Sequence, residues 1–293
     1  MKRIHRENKT LECTKRNLHN MANKSDIIAK DLIESYKTLQ STRKVAKKHN
    51  ISQTTVRRKL SNLGIINKPI VFSCNDNFFS TDTAASLYWA GFLAADGCVQ
   101  TKGTSRMVRL LLARRDREHV KKFKAAVNFT GTMHEYEIKN TLSSAVTIYS
   151  KNMFEDLKRF NIVPRKTLKY TFPEYLLSSP LVNHFMRGYF DGDGCVSAAN
   201  GKTPNSLKNA RFNLVGTEKF LYDYKNILES CCCISNISKD STTRIRKENN
   251  SSVYGLTYSG NNIFKKIREF LYYDSDINTR LDRKYEKSFS VAI

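Results

Sequence analysis

Residues 89–99 read WAGFLAADGCV and residues 186–196 read MRGYFDGDGCV, so one short pattern occurs twice in the chain. Each copy has a glycine, Gly91 or Gly188, that is followed four positions later by a second small residue. Small side chains at this spacing let two helix backbones approach closely. Such a contact would compensate for the ~0.5–1 kcal/mol that each glycine costs inside a helix. We therefore predict two helices that pack directly against each other.

An aspartate followed by glycine ends each of these predicted helices, Asp96 in the first and Asp193 in the second. The C-terminal end of a helix carries partial negative charge and free carbonyl groups, so two carboxylates side by side there are unfavourable. A divalent cation bound between the two carboxylates would make this arrangement favourable, because its positive charge offsets theirs. Mg²⁺ takes carboxylate and carbonyl oxygens and keeps several waters, which suits a phosphodiester site. The alternative is that each Asp-Gly pair is only a turn, but two matching copies favour a functional pair.

The repeat extends beyond these helices. Residues 146–150 return in pattern at 255–259, and the dipeptide Arg165-Lys166 returns as Arg283-Lys284. Each copy is predicted to contain a helix, two strands, a helix, two strands and a helix, which indicates an α+β fold with antiparallel sheets. The strands are predicted near residues 98–101, 107–112, 133–138 and 145–149 and near 196, 212–215, 234–238 and 254–258, with Asp116 capping a helix and a polar loop insertion at 239–252.

The composition favours a polyanionic partner. The 293 residues contain 50 Lys and Arg against 27 Asp and Glu, a net charge of +23, which indicates nucleic acid before an anionic membrane. Hydrophobic residues make up 40% of the chain, which excludes wholesale disorder. No apolar stretch resembles a membrane helix or a secretory signal. Seven cysteines without a Cys-x-x-Cys pair favour reduced thiols, so we expect an intracellular, cytoplasmic protein that is neither secreted nor membrane-bound.

Residues 24–66 are predicted to form three short helices. Ser41 begins the second helix, Ser52 caps the third, and Gly64 ends it. This pattern is typical of a helix-turn-helix, whose last helix enters the major groove of DNA. The alternative is a purely structural unit of three helices. The residues expected at the base edges are Gln53, Thr54, Thr55, Arg57 and Arg58.

Residues 89–97 and 186–194 resemble the two LAGLIDADG motifs of a single-chain homing endonuclease, and the resemblance covers roughly residues 81–290. It implies two αββαββα halves that pack through their motif helices and form a saddle of antiparallel sheets over the DNA major groove. Such proteins cut both strands across the minor groove. The helix-turn-helix resembles an accessory domain of some members. The predicted order is a disordered basic lead-in (1–23), the helix-turn-helix (24–66), a linker (67–80) and the two halves (81–178 and 179–293).

The resemblance also implies site residues. The acidic residue at the eighth motif position binds the metal, here Asp96 and Asp193, and the main-chain carbonyls of Ala95 and Gly192 join it. The sixth position is Ala94 in one copy and Asp191 in the other, and it is not the usual metal ligand. Family members place a lysine near each site, for which Lys166 and Lys284 are the candidates, although either could be a plain phosphate contact.

Base recognition is expected from alternate strand residues that face the DNA, although each basic residue could contact phosphate only. The candidates are Gln100, Lys102, Arg106, Arg109, Glu135 and Lys139 in the first half, and Ser197, Asn200, Lys208, Arg211, Arg244 and Arg246 in the second.

Together these features predict a monomeric, Mg²⁺-dependent DNA endonuclease with internal pseudo-twofold symmetry. Two alternatives stay open on the same scaffold. One is an RNA maturase that assists splicing of a group I intron, since a basic saddle can bind structured RNA by its shape. The other is a non-catalytic DNA-binding regulator. Such regulators tend to lose the motif acids, so the presence of both Asp96 and Asp193 disfavours this reading.

Overall fold

The computed structural model describes residues 29–66, 72–138, 140–199, 209–234, 242–247 and 253–291. The chain divides into two compact units, Met1–Val71 and Phe72–Ile293. The predicted lead-in, residues 1–23, lies outside the described residues. Within the described ranges, no helix is both long and apolar enough to cross a membrane.

In residues 29–66, the part of the first unit that the structure describes, there are three short helices: α1 (29–39), α2 (Thr42–Lys48) and α3 (Gln53–Asn62). Their apolar faces enclose a small core that includes Leu32, Val45 and Leu60. The predicted cap at Ser52 and the predicted helix start at Ser41 are confirmed, because both side chains accept hydrogen bonds from backbone N–H groups three residues further on.

The second unit is an α+β structure with two four-stranded antiparallel sheets, as predicted. The order is β1-β2-β4-β3 in one sheet and β5-β6-β8-β7 in the other. The strands are β1 (Gly97–Lys102), β2 (Ser105–Ala113), β3 (His134–Ile138), β4 (Thr141–Tyr149), β5 (Gly194–Ala199), β6 (Asn209–Gly216), β7 (Thr242–Lys247) and β8 (Tyr254–Ser259). The helices are α4 (Ala84–Asp96), α5 (Arg117–Ala126), α6 (Lys151–Asp156), α7 (Val182–Asp193), α8 (Glu218–Cys231), α9 (Asn261–Tyr272) and α10 (Asp282–Val291).

Helices α4 and α7 pack against each other at backbone distance. A Cβ added to Gly188 would lie 1.9 Å from the carbonyl oxygen of Tyr88, and one added to Gly91 would lie 2.0 Å from that of Phe185. Neither position has room for any side chain. The predicted close packing of the two glycine-containing helices is therefore confirmed. It also brings the C-terminal ends of the two helices close together.

The strand predicted near residues 234–238 lies mostly outside the described residues. Ile234, at the start of the strand predicted over residues 234–238, is buried in a non-strand segment after α8, and residues 235–241 lie outside the described residues. Strand β7 forms within the stretch predicted as a polar insertion, where Arg244 pairs with Thr257 of β8. β7 lies at the edge of its sheet. Edge strands commonly carry charged residues. The charged residues of β7 made the stretch look like a polar loop, although its threonines and isoleucine favour a strand.

The linker is shorter than predicted, because residues 72–80 belong to the second unit. The backbone N–H of Ser73 donates to the hydroxyl of Thr130 at 2.9 Å, and the N–H of Thr130 donates to the carbonyl of Ser73 at 2.9 Å. Phe79 is fully buried in the main core. Its apolar side chain is stabilised by packing there, which a solvated linker would not provide.

Asp116 does not cap a helix as predicted, because its carboxylate accepts no hydrogen bond from the first turn of α5. It pairs with the guanidinium of Arg283, whose Nε lies 2.6 Å from Asp116 Oδ1. A charge-assisted bond to arginine is stronger than a bond to a neutral N–H, so the distant partner prevails over the local one.

Candidate functional site

Asp96 and Asp193 are the last residues of α4 and α7, and each is followed at once by a strand. The close packing of the helices brings these ends together, since a Cβ added to Gly192 would lie 3.4 Å from Asp96 Oδ2. Burial, followed by the charge of Asp96, raises the pKa of Asp193 to about 6. Burial also raises the pKa of Asp96. The two carboxylates therefore share a site that disfavours their negative charge.

Both predicted lysines reach the ends of these helices. The ammonium of Lys284 donates to the carbonyl oxygens of Phe190 at 2.9 Å and Gly192 at 2.8 Å. The ammonium of Lys166 donates to the carbonyl oxygen of Ala95 at 3.4 Å. Both side chains are buried, which lowers the pKa of Lys166 and lowers that of Lys284 to about 8. Their positive charges in turn lower the pKa values of both aspartates against the effect of burial.

Asp191, at the sixth motif position, serves a different purpose. Its buried carboxylate accepts hydrogen bonds from the hydroxyl of Tyr88 at 2.8 Å, the hydroxyl of Tyr272 at 2.6 Å and the N–H of Leu281 at 2.7 Å. These donors satisfy the carboxylate within the protein interior. Asp191 thus joins the motif helices to the segment that precedes α10.

A cavity of about 680 Å³ opens beside the first-half lysine. It is lined by β1 and by a loop that includes Arg165 and Lys166. Gln100 lies on its wall and is exposed. The cavity therefore extends from the end of α4 along strand β1 of the first sheet.

The outer faces of the two sheets carry several of the predicted base-reading residues. In β1 and β2 the buried Val99 pairs with the buried Val108, which places Cys98 and its partner Arg109 on the opposite face. In β5 and β6 the buried Val196 pairs with Phe212, which places Ser197 and Arg211 on the outer face. The predicted residues on these faces are Gln100, Lys102, Arg109, Ser197 and Arg211.

Two predicted contacts lie on the other face of the first sheet. The guanidinium of Arg106 lies 5.7 Å from the ring of Phe154 and 4.0 Å from the carboxylate of Glu155, both in α6. Glu135 pairs with Arg117 of α5 at 2.9 Å. Both are corrections to the prediction. Alternation assigns each residue to a face only when the strand register is known.

The other predicted base-reading residues of the two halves lie on β7 or outside the described residues. Arg246 is exposed on β7, where it pairs in register with Gly255, and Arg244 is placed only by its register with Thr257. Lys139, Asn200 and Lys208 lie outside the described residues.

Sequence reasoning missed Asn213 on the outer face of the second sheet. Its amide donates to the hydroxyl of Ser197 at 3.4 Å and accepts from the hydroxyl of Thr257 at 2.9 Å. The available signal was its spacing of two residues from Arg211 along one strand.

In the first unit, the predicted DNA-contacting residues lie at the start and middle of α3. Arg57 and Arg58 are exposed. The amide of Gln53 donates to the hydroxyl of Thr42 at 3.0 Å, and the hydroxyl of Thr55 lies 2.8 Å from that of the capping Ser52. Thr54 is exposed between them. The two arginines are therefore the side chains of this group best placed to meet a phosphate.

Residues 180–271 match a family model described as a LAGLIDADG-like domain. No curated protein matches the chain. Among solved structures, the chain is similar to the LAGLIDADG meganuclease I-AabMI bound to uncleaved DNA, with 14% identity, 72% of this chain and 90% of that chain covered, and a TM-score of 0.48. It is also similar to the homing endonuclease I-WcaI bound to its DNA recognition sequence, with 12% identity, coverage of 71% and 90%, and a TM-score of 0.48.

Proposed function

We propose that this chain is a site-specific, metal-dependent endonuclease that cuts both strands of double-stranded DNA, as single-chain homing endonucleases do. The observation that carries the proposal is the meeting of Asp96 and Asp193 at the adjoining ends of α4 and α7, each with a buried lysine beside it. The match of residues 180–271 to a LAGLIDADG-like domain supports it. On this proposal the protein is an intracellular monomer whose two halves are related by a pseudo-twofold axis.

The donor set at the helix ends fits Mg²⁺. Within the described residues, no three His, Cys, Asp or Glu side chains cluster closely enough to hold a metal by themselves. Mg²⁺ does not need such a cluster, because it retains several waters and is commonly held by one or two carboxylates and substrate phosphate. Asp96 and Asp193 would supply the carboxylates. The carbonyl oxygens of Ala95 and Gly192 each accept from a lysine and keep a second lone pair for a cation.

The bound cation would supply positive charge at the scissile phosphates and activate water for attack on phosphorus. The two aspartates bring that charge to the junction of the halves. Lys166 and Lys284 add positive charge beside them and stabilise the charge that develops on the phosphate oxygens. Their burial strengthens this effect, because electrostatic interactions are stronger where water is excluded.

DNA binding is assigned to the outer faces of the two sheets and to α3. Arg109 and Arg211 both lie on the outer faces, although at positions that differ by two residues in the repeat, and arginine suits a guanine edge or a phosphate. In the first unit, Arg57 and Arg58 on α3 would add the contacts of a helix-turn-helix.

A cleavage-site selection from a randomised DNA library tests the proposal. We expect the wild-type protein with Mg²⁺ to enrich one family of sites and to cut both strands, and EDTA to stop the cutting. Asp96→Asn and Asp193→Asn should each lower double-strand cutting by at least ~10³-fold. DNA binding without metal should stay nearly unchanged.

The exposed Asp31, on α1 and outside the site, provides the matched control, since Asp31→Asn should cut at the wild-type rate. Binding of a specific site without cutting would instead identify a regulator. Cutting by both site variants at the wild-type rate would reject the catalytic role of the aspartates. Assistance of intron splicing without DNA cutting would identify a maturase.

A further inference from the structure

The segment that carries Lys284 is anchored to the first half of the second unit by an ion pair between the buried Asp116 and the partly exposed Arg283. Arg283 donates from Nε to Asp116 Oδ1 at 2.6 Å and from Nη2 to Asp116 Oδ2 at 2.8 Å. Asp116 is only 8% exposed and lies at the corner between β2 and α5. A two-point arginine–carboxylate pair fixes direction as well as distance. It therefore holds the backbone beside Lys284 in one orientation.

A second contact fixes the same segment. The ammonium of Lys122 on α5 lies 2.7 Å from Asp282 Oδ2 and 3.2 Å from the carbonyl oxygen of Arg280. The first turn of α10 is thus held at two consecutive residues by α5 and the corner before it. Lys284 follows directly and donates to two carbonyl oxygens at the end of α7.

The corresponding corner of the other half is built differently. Thr217 lies between β6 and α8, as Asp116 lies between β2 and α5, but it is neutral. Its hydroxyl donates to the carbonyl oxygen of Tyr170 at 2.5 Å. Arg165, the counterpart of Arg283 in the repeat, is exposed as Arg283 is, but no ion pair to Arg165 is present among the described residues. Lys166 has one 3.4 Å contact with a helix-end carbonyl, whereas Lys284 has two shorter ones.

We infer that Asp116 and Arg283 are positioning residues that hold Lys284 at one of two unequal cutting centres. Neither residue needs to touch the DNA. The pair acts by keeping the Lys284 ammonium against the end of α7, so its loss impairs the cut made nearest Lys284 and leaves the cut nearest Lys166 intact. This inference rests on the proposed nuclease function and adds to it a chemical difference between the two strand cuts.

Asp116→Asn is the sharpest variant, because it nearly preserves shape and leaves no unpaired buried charge. We expect the rate constant for cutting one strand to fall by roughly tenfold, since a small misplacement of a catalytic group is costly. The rate constant for the other strand should stay within about twofold of wild type. Nicked DNA should therefore accumulate. A different end label on each strand of the selected target measures the two cuts separately. Arg283→Met should act on the same strand.

A second measurement needs no DNA. Reductive methylation of the free protein with formaldehyde and a borohydride, read by peptide mass spectrometry, reports how far each lysine is shielded. Lys284 and Lys166 are only 6% and 7% exposed in the wild-type protein. In Asp116→Asn, methylation of Lys284 should increase severalfold while that of Lys166 is unchanged.

Asp82→Asn is the matched control, because Asp82 forms a partly buried ion pair with Arg159 away from both lysines. It should alter neither strand cutting nor lysine methylation. Equal slowing of both strands by Asp116→Asn, or unchanged methylation of Lys284, would overturn the inference. A wild-type protein that cuts neither strand would overturn the proposed function, and methylation would then still decide whether the ion pair holds Lys284.

Discussion

At the scale of single residues, Asp193 links the stability of the protein to its chemistry. Its pKa is raised to about 6 by burial and by the neighbouring Asp96. An acid whose pKa rises on folding binds its proton more tightly in the folded state, so its ionised form opposes folding above about pH 6. This penalty fades as the pH falls through that value. We expect Asp193→Asn to raise the Tm of the metal-free protein at pH 7.5, with a smaller gain at pH 5.

Differential scanning calorimetry at both pH values measures this effect, for which a gain of about 1 kcal/mol corresponds to roughly 2–4 °C in a domain of this size. Added Mg²⁺ should raise the Tm of the wild-type protein more than that of Asp193→Asn, because the variant lacks one carboxylate ligand. The exposed Asp31→Asn should leave the Tm unchanged at both pH values and should gain as much from Mg²⁺ as the wild-type protein does. A gain in Tm that is the same at pH 5 and pH 7.5 would contradict the assignment of the penalty to Asp193 ionisation.

At the scale of elements, the contact between α4 and α7 decides whether the site exists. The Cβ of alanine at position 188 would lie 1.9 Å from a main-chain oxygen of α4, and neither backbone can yield without moving a whole helix. Gly188→Ala should therefore lower the free energy of unfolding by about 3 kcal/mol or more. It should also separate Asp96 from Asp193 and so lower DNA cutting. Urea unfolding and a cleavage assay measure the two effects.

Gly103 offers the control for that substitution. It has a φ of +56°, and no atom lies within 4 Å of an added Cβ. Gly103→Ala therefore meets only backbone strain and should cost about 1 kcal/mol, without loss of the helix contact. If Gly188→Ala unfolded at the same urea concentration as Gly103→Ala, the helices would not be packed at backbone distance. A Gly188→Ala protein without any cooperative transition would agree with the prediction.

At the scale of the whole molecule, local signals predicted which residues meet at the ends of α4 and α7 better than they predicted the sheet surfaces. Asp96, Asp193 and both lysines were found because each occurs at a repeated place in the sequence. Arg106 and Glu135 were predicted on the wrong face of the sheet. A shift of one residue in the assumed register moves every side chain of a strand to the opposite face. The pairing of Asp116 with Arg283 joins residues 167 positions apart. No local pattern encodes a contact at that separation, since folding alone brings those residues together.

The positive charge of the chain is not all equivalent in DNA binding. The net charge of +23 supports sequence-independent attraction to DNA, but Arg57 and Arg58 on α3 are proposed to make defined phosphate or base contacts. Arg57→Ala/Arg58→Ala should weaken binding to the selected target and lower the slope of log K against log salt by about 1 for each of the two arginines that contacts a phosphate. The cutting rate at saturating protein should not change, since the carboxylates and lysines lie in the second unit.

Lys30→Ala/Lys37→Ala provides the comparison, because it removes the same charge from exposed positions on α1 of the same unit. If α3 contributes only its charge to the general electrostatic field, either pair of substitutions should weaken DNA binding equally. If α3 binds directly to the DNA, loss of its two arginines should weaken binding more than loss of the two lysines, because a phosphate contact depends on position as well as charge. Binding titrations at several salt concentrations separate the two cases. Equal losses from both variants would mean that α3 makes no defined DNA contact and that the three helices contribute charge alone.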